Sequence, residues 1–161
     1  MNYSFIPNDD PYFPTPIEVV QHKLDLLELK NGETVFDLGC GDARQLIMAC
    51  AMADVNCIGY EILPEAIRDA KIKIEEAKLS DRIKIRTEDI YQADISNADV
   101  LILYFSRSVL GALSLKLEKE LPVGARIATH QFDIPGWKEE TKKEIMQKNG
   151  ALETIYLYRK I

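Results

Sequence analysis

The sequence predicts an α/β domain built on a mostly parallel sheet, with helices on both faces and an antiparallel hairpin at the end. Three observations carry that expectation. Runs of β-forming residues alternate with segments whose apolar residues recur every three or four positions, the pattern of strand–helix–strand units with right-handed crossovers. A glycine-rich turn, Leu38-Gly39-Cys40-Gly41-Asp42, falls where the first strand gives way to a helix. Near the carboxyl end the alternation stops, and Asn149-Gly150 separates two strand-like segments, a strong short-range hairpin signal.

Taken in order, residues 1–15 form an arm and residues 16–161 a single domain, as a chain of 161 residues allows. Prolines exclude a regular helix from the arm, yet Tyr3, Phe5, Tyr12 and Phe13 make it too aromatic for a solvated tail, so it is expected to lie on the domain. Thr15 as N-cap, Pro16 at the first helical position and Glu18 form a capping box. Ile17, Val20, Leu24 and Leu27 then give a core-facing stripe to about Leu29, ended by Asn31-Gly32.

Strands are expected at 34–38, 56–62, 82–86, 99–105 and 124–130. Helices are expected at 43–53, 64–78 and 109–120. The run Asp99–Phe105 is continuously apolar, as in a parallel strand buried on both faces. Lys142–Lys148 and Ala151–Arg159 pair around the Asn-Gly turn, which brings the sheet to seven strands.

Composition narrows the function classes. Twenty Lys and Arg against 26 Asp and Glu give a net charge of −6, which supplies no general attraction to phosphate backbones and disfavours a nucleic acid partner. The same charge attracts lysine-rich proteins weakly, or simply keeps the chain soluble. Cys40, Cys50 and Cys57 form no CxxC pair, and His22 and His130 stand alone, so no metal site is expected. An odd number of thiols, no apolar run of membrane length and no basic-then-apolar leader suggest a cytoplasmic protein.

The segment Val35–Arg44 (VFDLGCGDAR) carries the chemistry, because ligands of open α/β sheets bind at the carboxyl ends of the strands. The dinucleotide fingerprint GxGxxG fails, since Arg44 stands where the third glycine belongs. The segment matches D-x-G-x-G in full, through Asp37, Gly39 and Gly41. Glu61 closes the second strand 20 residues after Gly41, where a carboxylate accepts bonds from both hydroxyls of a ribose. Asp89, within Thr87-Glu88-Asp89-Ile90, is placed to accept from an adenine amino group while Ile62 and Ile90 flank the ring. Each element also has a plainer reading: a tight turn, a solvated acid and an acidic surface turn.

These residues resemble the class I, seven-strand methyltransferases, in the VFDLGCGDAR loop, the Gly59-Tyr60-Glu61-Ile62 acid, the TEDI turn and the terminal hairpin. Pro11–Pro16 (PYFPTP), Lys116–Leu121 (KLEKEL) and Thr154–Tyr158 (TIYLY) make the chain similar, more narrowly, to the small archaeal protein lysine methyltransferases, from about Pro11 to Tyr158. The resemblance implies a Rossmann-like sheet, S-adenosylmethionine as cofactor and protein substrates with exposed lysines. It implies that Asp37, Gly39 and Gly41, with Cys40 between the glycines, floor the cofactor, that Glu61 holds its ribose, and that Asp89 holds the adenine. Tyr12 and Thr15 on the arm are implied to close over its methionine end.

There are departures from the family pattern. Ala43 replaces a usual glycine, which a helix start should tolerate. Tyr104–Ser108 (YFSRS) stands where relatives often carry polar, Asn-containing segments, and Gln131 follows His130 where Glu is common. The Asp/Asn-Pro-Pro-Tyr/Phe signature of exocyclic base-amine methyltransferases is absent, which argues against adenine or cytosine amino acceptors.

Methyl transfer needs a deprotonated amine, aligned and dry. Tyr104 is the candidate catalytic residue, with Phe105, Phe132, Tyr3 and Phe5 as further aromatic walls that tolerate cations. Trp137 is read as capping the sheet edge. No dedicated general base is legible. Three other readings stay open: methylation of a small molecule or RNA, a catalytically silent cofactor-binding subunit, and a nicotinamide dehydrogenase. Oligomeric state is not legible in the sequence.

Overall fold

The structure is a computed structural model and describes residues 14–161. The described elements are α1 (Ile17–Leu27), β1 (Thr34–Leu38), α2 (Arg44–Met52), β2 (Asn56–Tyr60), α3 (Pro64–Glu76), β3 (Ile83–Arg86), β4 (Val100–Leu103), α4 (Arg107–Glu120), β5 (Arg126–His130), β6 (Thr141–Met146) and β7 (Leu152–Arg159). They form one seven-stranded sheet in the order β3-β2-β1-β4-β5-β7-β6. The first five strands are parallel, and β7 inserts antiparallel between β5 and β6. This is the expected mostly parallel, hairpin-terminated sheet. Strand order reverses between β1 and β4, which opens a crevice above their carboxyl ends.

Strand residues alternate between two apolar layers, as a period of two requires. One layer joins Val35, Cys57, Val100, Ile102 and Ala128 to α1, α2 and α3. The other joins Phe36, Leu38, Leu101, Leu103 and Ile127 to α4 and to the turns that carry Ile90, Ile95 and Ile134. All four residues of β4 are buried, as its continuous apolar run predicts. Trp137 packs edge-on against Tyr158 with ring centroids 6.2 Å apart, so it belongs to this second layer.

Several boundaries correct the sequence reading. α1 begins at Ile17 after Pro16, with no side-chain cap, so the Thr15–Glu18 capping box does not form. The Thr15 hydroxyl accepts instead from Gln45 Nε2 at 3.5 Å. α1 also ends earlier than Asn31-Gly32, at Leu27, with Glu28 in the left-handed conformation. β2 stops at Tyr60 and β4 at Leu103, each two residues short of expectation. The β6–β7 connection spans residues 147–151 and is wider than a two-residue Asn-Gly turn. There Gln147 N–H donates to the Ala151 carbonyl at 2.8 Å, and Asn149 Oδ1 accepts from Ala151 N–H at 2.9 Å.

The end of α1 is held by Arg126, which is 7% exposed. Its Nε donates to the Leu27 carbonyl at 2.8 Å, and its two terminal nitrogens grip Glu33 at 2.8 Å each. Against the cost of partial burial, that grip holds the Glu33 carboxyl below the ordinary glutamate range. Arg126→Met is expected to lower stability by about 2–3 kcal/mol, because Glu33 and a helix-end carbonyl lose a buried partner. The pair's contribution is present above the unfolded Glu pKa and is lost as pH falls through the depressed folded value. The difference in melting temperature between variant and wild type is therefore expected to shrink in acid, as differential scanning calorimetry would show.

No helix of the described residues is long and apolar enough to cross a membrane.

Candidate active site

The glycine loop leaves β1 through two left-handed glycines, Gly39 at φ +76° and Gly41 at φ +57°. Its amides are held from β2: Gly39 and Cys40 N–H both donate to the Tyr60 carbonyl, at 2.7 and 2.9 Å. Glu61 completes the arrangement. One carboxylate oxygen accepts from Gly41 N–H at 2.9 Å, and the other accepts from Ile62 and Leu63 N–H at 2.9 and 3.1 Å. The acid 20 residues downstream of Gly41 therefore meets the loop directly. Cys40 contributes backbone only, because its side chain is buried in the α1–α3 layer and a Cβ on Gly59 would stand 2.6 Å from its sulfur. Burial first, and then Asp37, pushes that thiol's pKa well up.

Ala43 stands at the start of α2, where alanine is expected to be tolerated in place of glycine, and the fold holds it there at a cost. It sits at φ +66°, one residue before α2, fully buried. A left-handed alanine costs roughly 1 kcal/mol, which explains why glycine suits this position. Neighbouring Asp42 is gripped by Arg44 at 2.8 Å and by Lys73. Against the cost of its burial, these bonds hold its carboxyl at about 2. Asp42 is thus an anchor between the loop and α3.

At the other end of the crevice, Asp89 is half-buried and its Oδ1 accepts from Tyr91 N–H at 2.9 Å, so the TEDI turn caps itself. Ile90 is fully buried, and the half-buried Ile62 packs on the same apolar cluster. Thr15 is buried beside α2, its carbonyl accepting from Arg44 at 3.2 Å. Tyr12, with Tyr3 and Phe5, lies outside the described residues.

Between the carboxyl ends of β1, β4 and β5 lies a buried polar cluster that the sequence reading did not foresee. Asp37 is on the α1 face of β1, and its Oδ2 has no hydrogen-bond partner among the described residues. Lys23 of α1 is fully buried and donates to Gln45 Oε1 at 2.9 Å. Its ammonium stands 5.9 Å from the centre of the Tyr104 ring. Burial pulls the Lys23 pKa down to about 8, against the attraction of Asp37 and Glu153. Burial likewise pushes Asp37 up to about 8, opposed by Lys23 and reinforced by Glu61 and Asp42.

His130, also fully buried, stacks on Tyr104 with ring centres 4.1 Å apart. Its Nε2 lies 2.6 Å from Glu153 Oε2. Burial, then Lys23, keeps the imidazole neutral, with a pKa lowered to about 3. Phe105, expected among the channel aromatics, is instead a core residue under Gly39. Phe132 is 41% exposed.

The seven-strand order, the reversed hairpin and the D-x-G-x-G bend tied to an acid at the end of β2 define a class I, S-adenosylmethionine-dependent methyltransferase. The model of the ANTKMT methyltransferase domain matches residues 37–141, and the chain belongs to that family. It is 38% identical over 157 residues to a protein-lysine N-methyltransferase of Saccharolobus islandicus, covering 96% of each. It is 30% identical to the mouse adenine nucleotide translocase lysine N-methyltransferase, covering 80% of this chain and 56% of that one. Among solved structures, an RNA methyltransferase from Salinibacter ruber in complex with S-adenosyl-L-homocysteine superposes with a TM-score of 0.85 at 31% identity, covering 91% of this chain and 93% of that one.

Proposed function

We propose that the protein transfers methyl groups from S-adenosylmethionine to lysine side chains of other proteins. The observation that carries the reading is the 38% identity along nearly the whole length of an archaeal protein-lysine N-methyltransferase. The site fits the cofactor on its own terms. A buried carboxyl oxygen of Asp37 has no hydrogen-bond partner among the described residues, and the left-handed Gly39 and Gly41 carry the backbone through a tight bend at the carboxyl end of β1.

In this reading Asp37, the Gly39–Gly41 bend and the Cys40 backbone hold the methionine portion. Glu61 Oε2 already serves two amides, whereas Oε1 serves only Gly41 N–H and keeps acceptor capacity, which takes a ribose hydroxyl. Asp89 takes the adenine amino group, with Ile62 and Ile90 against the ring. Thr15, with Tyr12 beyond it, covers the methionine end, and residues 1–15 act as an arm over the site while 16–161 make up the domain. When bound, the cofactor supplies an electrophilic methyl on a sulfonium sulfur. The residues of the chain bind, orient and exclude water. Tyr104 walls the acceptor side, and its ring face tolerates cations.

A cytoplasmic setting agrees with the odd number of cysteines, Cys40, Cys50 and Cys57. The acidic balance favours lysine-rich protein substrates over nucleic acid.

Incubating the protein with methyl-labelled cofactor and lysine-rich proteins, then hydrolysing them, is expected to yield labelled methyl-lysine. Label confined to RNA, in the manner of the Salinibacter relative, or to small molecules contradicts the lysine assignment. Cofactor binding without transfer to any acceptor means a silent subunit.

A further inference from the structure

We propose that His130 is a further catalytic residue, its bare Nδ1 accepting a hydrogen bond from the acceptor amine and so aiming the amine's lone pair at the methyl group; this rests on the lysine reading above. Three observations assign that role. Nδ1 is a fully buried acceptor with no hydrogen-bond partner among the described residues, a costly state unless a donor arrives during function. The other ring nitrogen is committed, since Nε2 lies 2.6 Å from a Glu153 carboxylate oxygen. A carboxylate only accepts, so the proton sits on Nε2 and the lone pair on Nδ1. Finally, Glu153 is itself fixed, because its second oxygen accepts from Gln147 Nε2 at 2.7 Å.

The placement suits the chemistry. His130 closes β5 beside the end of β4, at the carboxyl edge of the sheet where the methyl acceptor is read. Tyr104 covers the face of the imidazole, tilted by 33°, which leaves the in-plane lone pair unblocked by that ring. The charged groups that act on it are Lys23 and, at Nε2, Glu153, and both Asp37 and Glu153 in turn act on Lys23. Lys23 disfavours a second positive charge nearby, so the ring meets the amine as a neutral acceptor. A single histidine at a strand end gives no motif, which is why the sequence does not announce it.

Two isosteric variants separate this role from a purely structural one. In His130→Asn the amide oxygen takes the place of Nδ1 and the link to Glu153 is lost. In His130→Gln the longer side chain keeps the link to Glu153 and vacates the Nδ1 position. His130→Asn is expected to retain kcat toward a lysine-rich protein within about 10-fold, while His130→Gln loses about 100-fold. Both are expected to bind S-adenosylhomocysteine like the wild type. Equal losses, or His130→Gln as the more active, overturn the assignment.

A readout independent of variants is the nitrogen resonance of Nδ1 in isotope-labelled wild type. It is expected to report the Nε2–H tautomer and to move when n-butylamine, a lysine side-chain mimic, is added with S-adenosylhomocysteine. No movement at saturating amine also overturns it. A wild type that methylates no lysine defeats the underlying reading and the His130 role with it, whereas an active wild type with the wrong variant order defeats His130 alone.

Discussion

Gly39→Val is expected to abolish binding of S-adenosylhomocysteine and to lower the melting temperature markedly. A Cβ on Gly39 would stand 2.5 Å from Phe105 Cζ, and that ring is 5% exposed and packed among core residues. The backbone there is left-handed, at φ +76°, which a β-branched residue resists strongly. Strain and overpacking together cost about 2–5 kcal/mol. Relief of either requires the bend to open, which moves the amides that Tyr60 holds. Gly124→Val is the control, since Gly124 has a comparable φ of +91° with nothing within 4 Å. It is expected to be destabilised by backbone strain while binding normally. Equal loss of binding in the two variants would show that general destabilisation, and not the bend, is responsible.

Glu61→Ala is expected to weaken S-adenosylhomocysteine by about 10- to 100-fold, because a hydrogen bond to a charged group is worth roughly 1.5–3 kcal/mol and Glu61 Oε1 accepts one from the ribose. The same substitution strips the acceptors from Gly41, Ile62 and Leu63 N–H, so some stability is lost as well. Glu61→Gln separates the effects, since the amide still accepts from one partner but carries no charge. It is expected to fall between wild type and alanine in affinity. Retention of wild-type affinity in Glu61→Ala, measured by equilibrium dialysis, would remove Glu61 from the ribose.

These two residues were legible because their signals are local. A β-run followed by D-x-G-x-G and an acid one strand later describes consecutive pieces of one strand–helix–strand unit, and the structure joins them through Gly41 and Glu61. The same locality made the seven strands readable, with errors of a residue or two where tertiary bonds decide the boundary. At α1 the helix stops at Leu27 because Arg126, 99 residues away, takes its carbonyl. Thr15 fails as a cap because its hydroxyl serves Gln45, on a helix the local pattern could not bring near.

The buried cluster was illegible for the same reason. Lys23, Asp37, His130 and Glu153 come from α1, β1, β5 and β7, and apart from Asp37, which the glycine motif marks, each alone reads as an ordinary residue of its element. Lys23 sits on a face that helical spacing marks as core, and only the tertiary fold supplies the partners that make a buried ammonium tolerable there. Phe105 shows the converse: aromatic type and position suggested the channel, yet the close approach of Gly39 makes it structural.

Equilibrium dialysis of the wild type against labelled S-adenosylhomocysteine, with NAD as competitor, tests the central claim most directly. Saturable binding at one site per chain, undiminished by excess NAD, is what the bend between Leu38 and Ala43 and the acid at Glu61 require. Absence of saturable binding, or displacement by NAD at comparable concentration, would contradict the account.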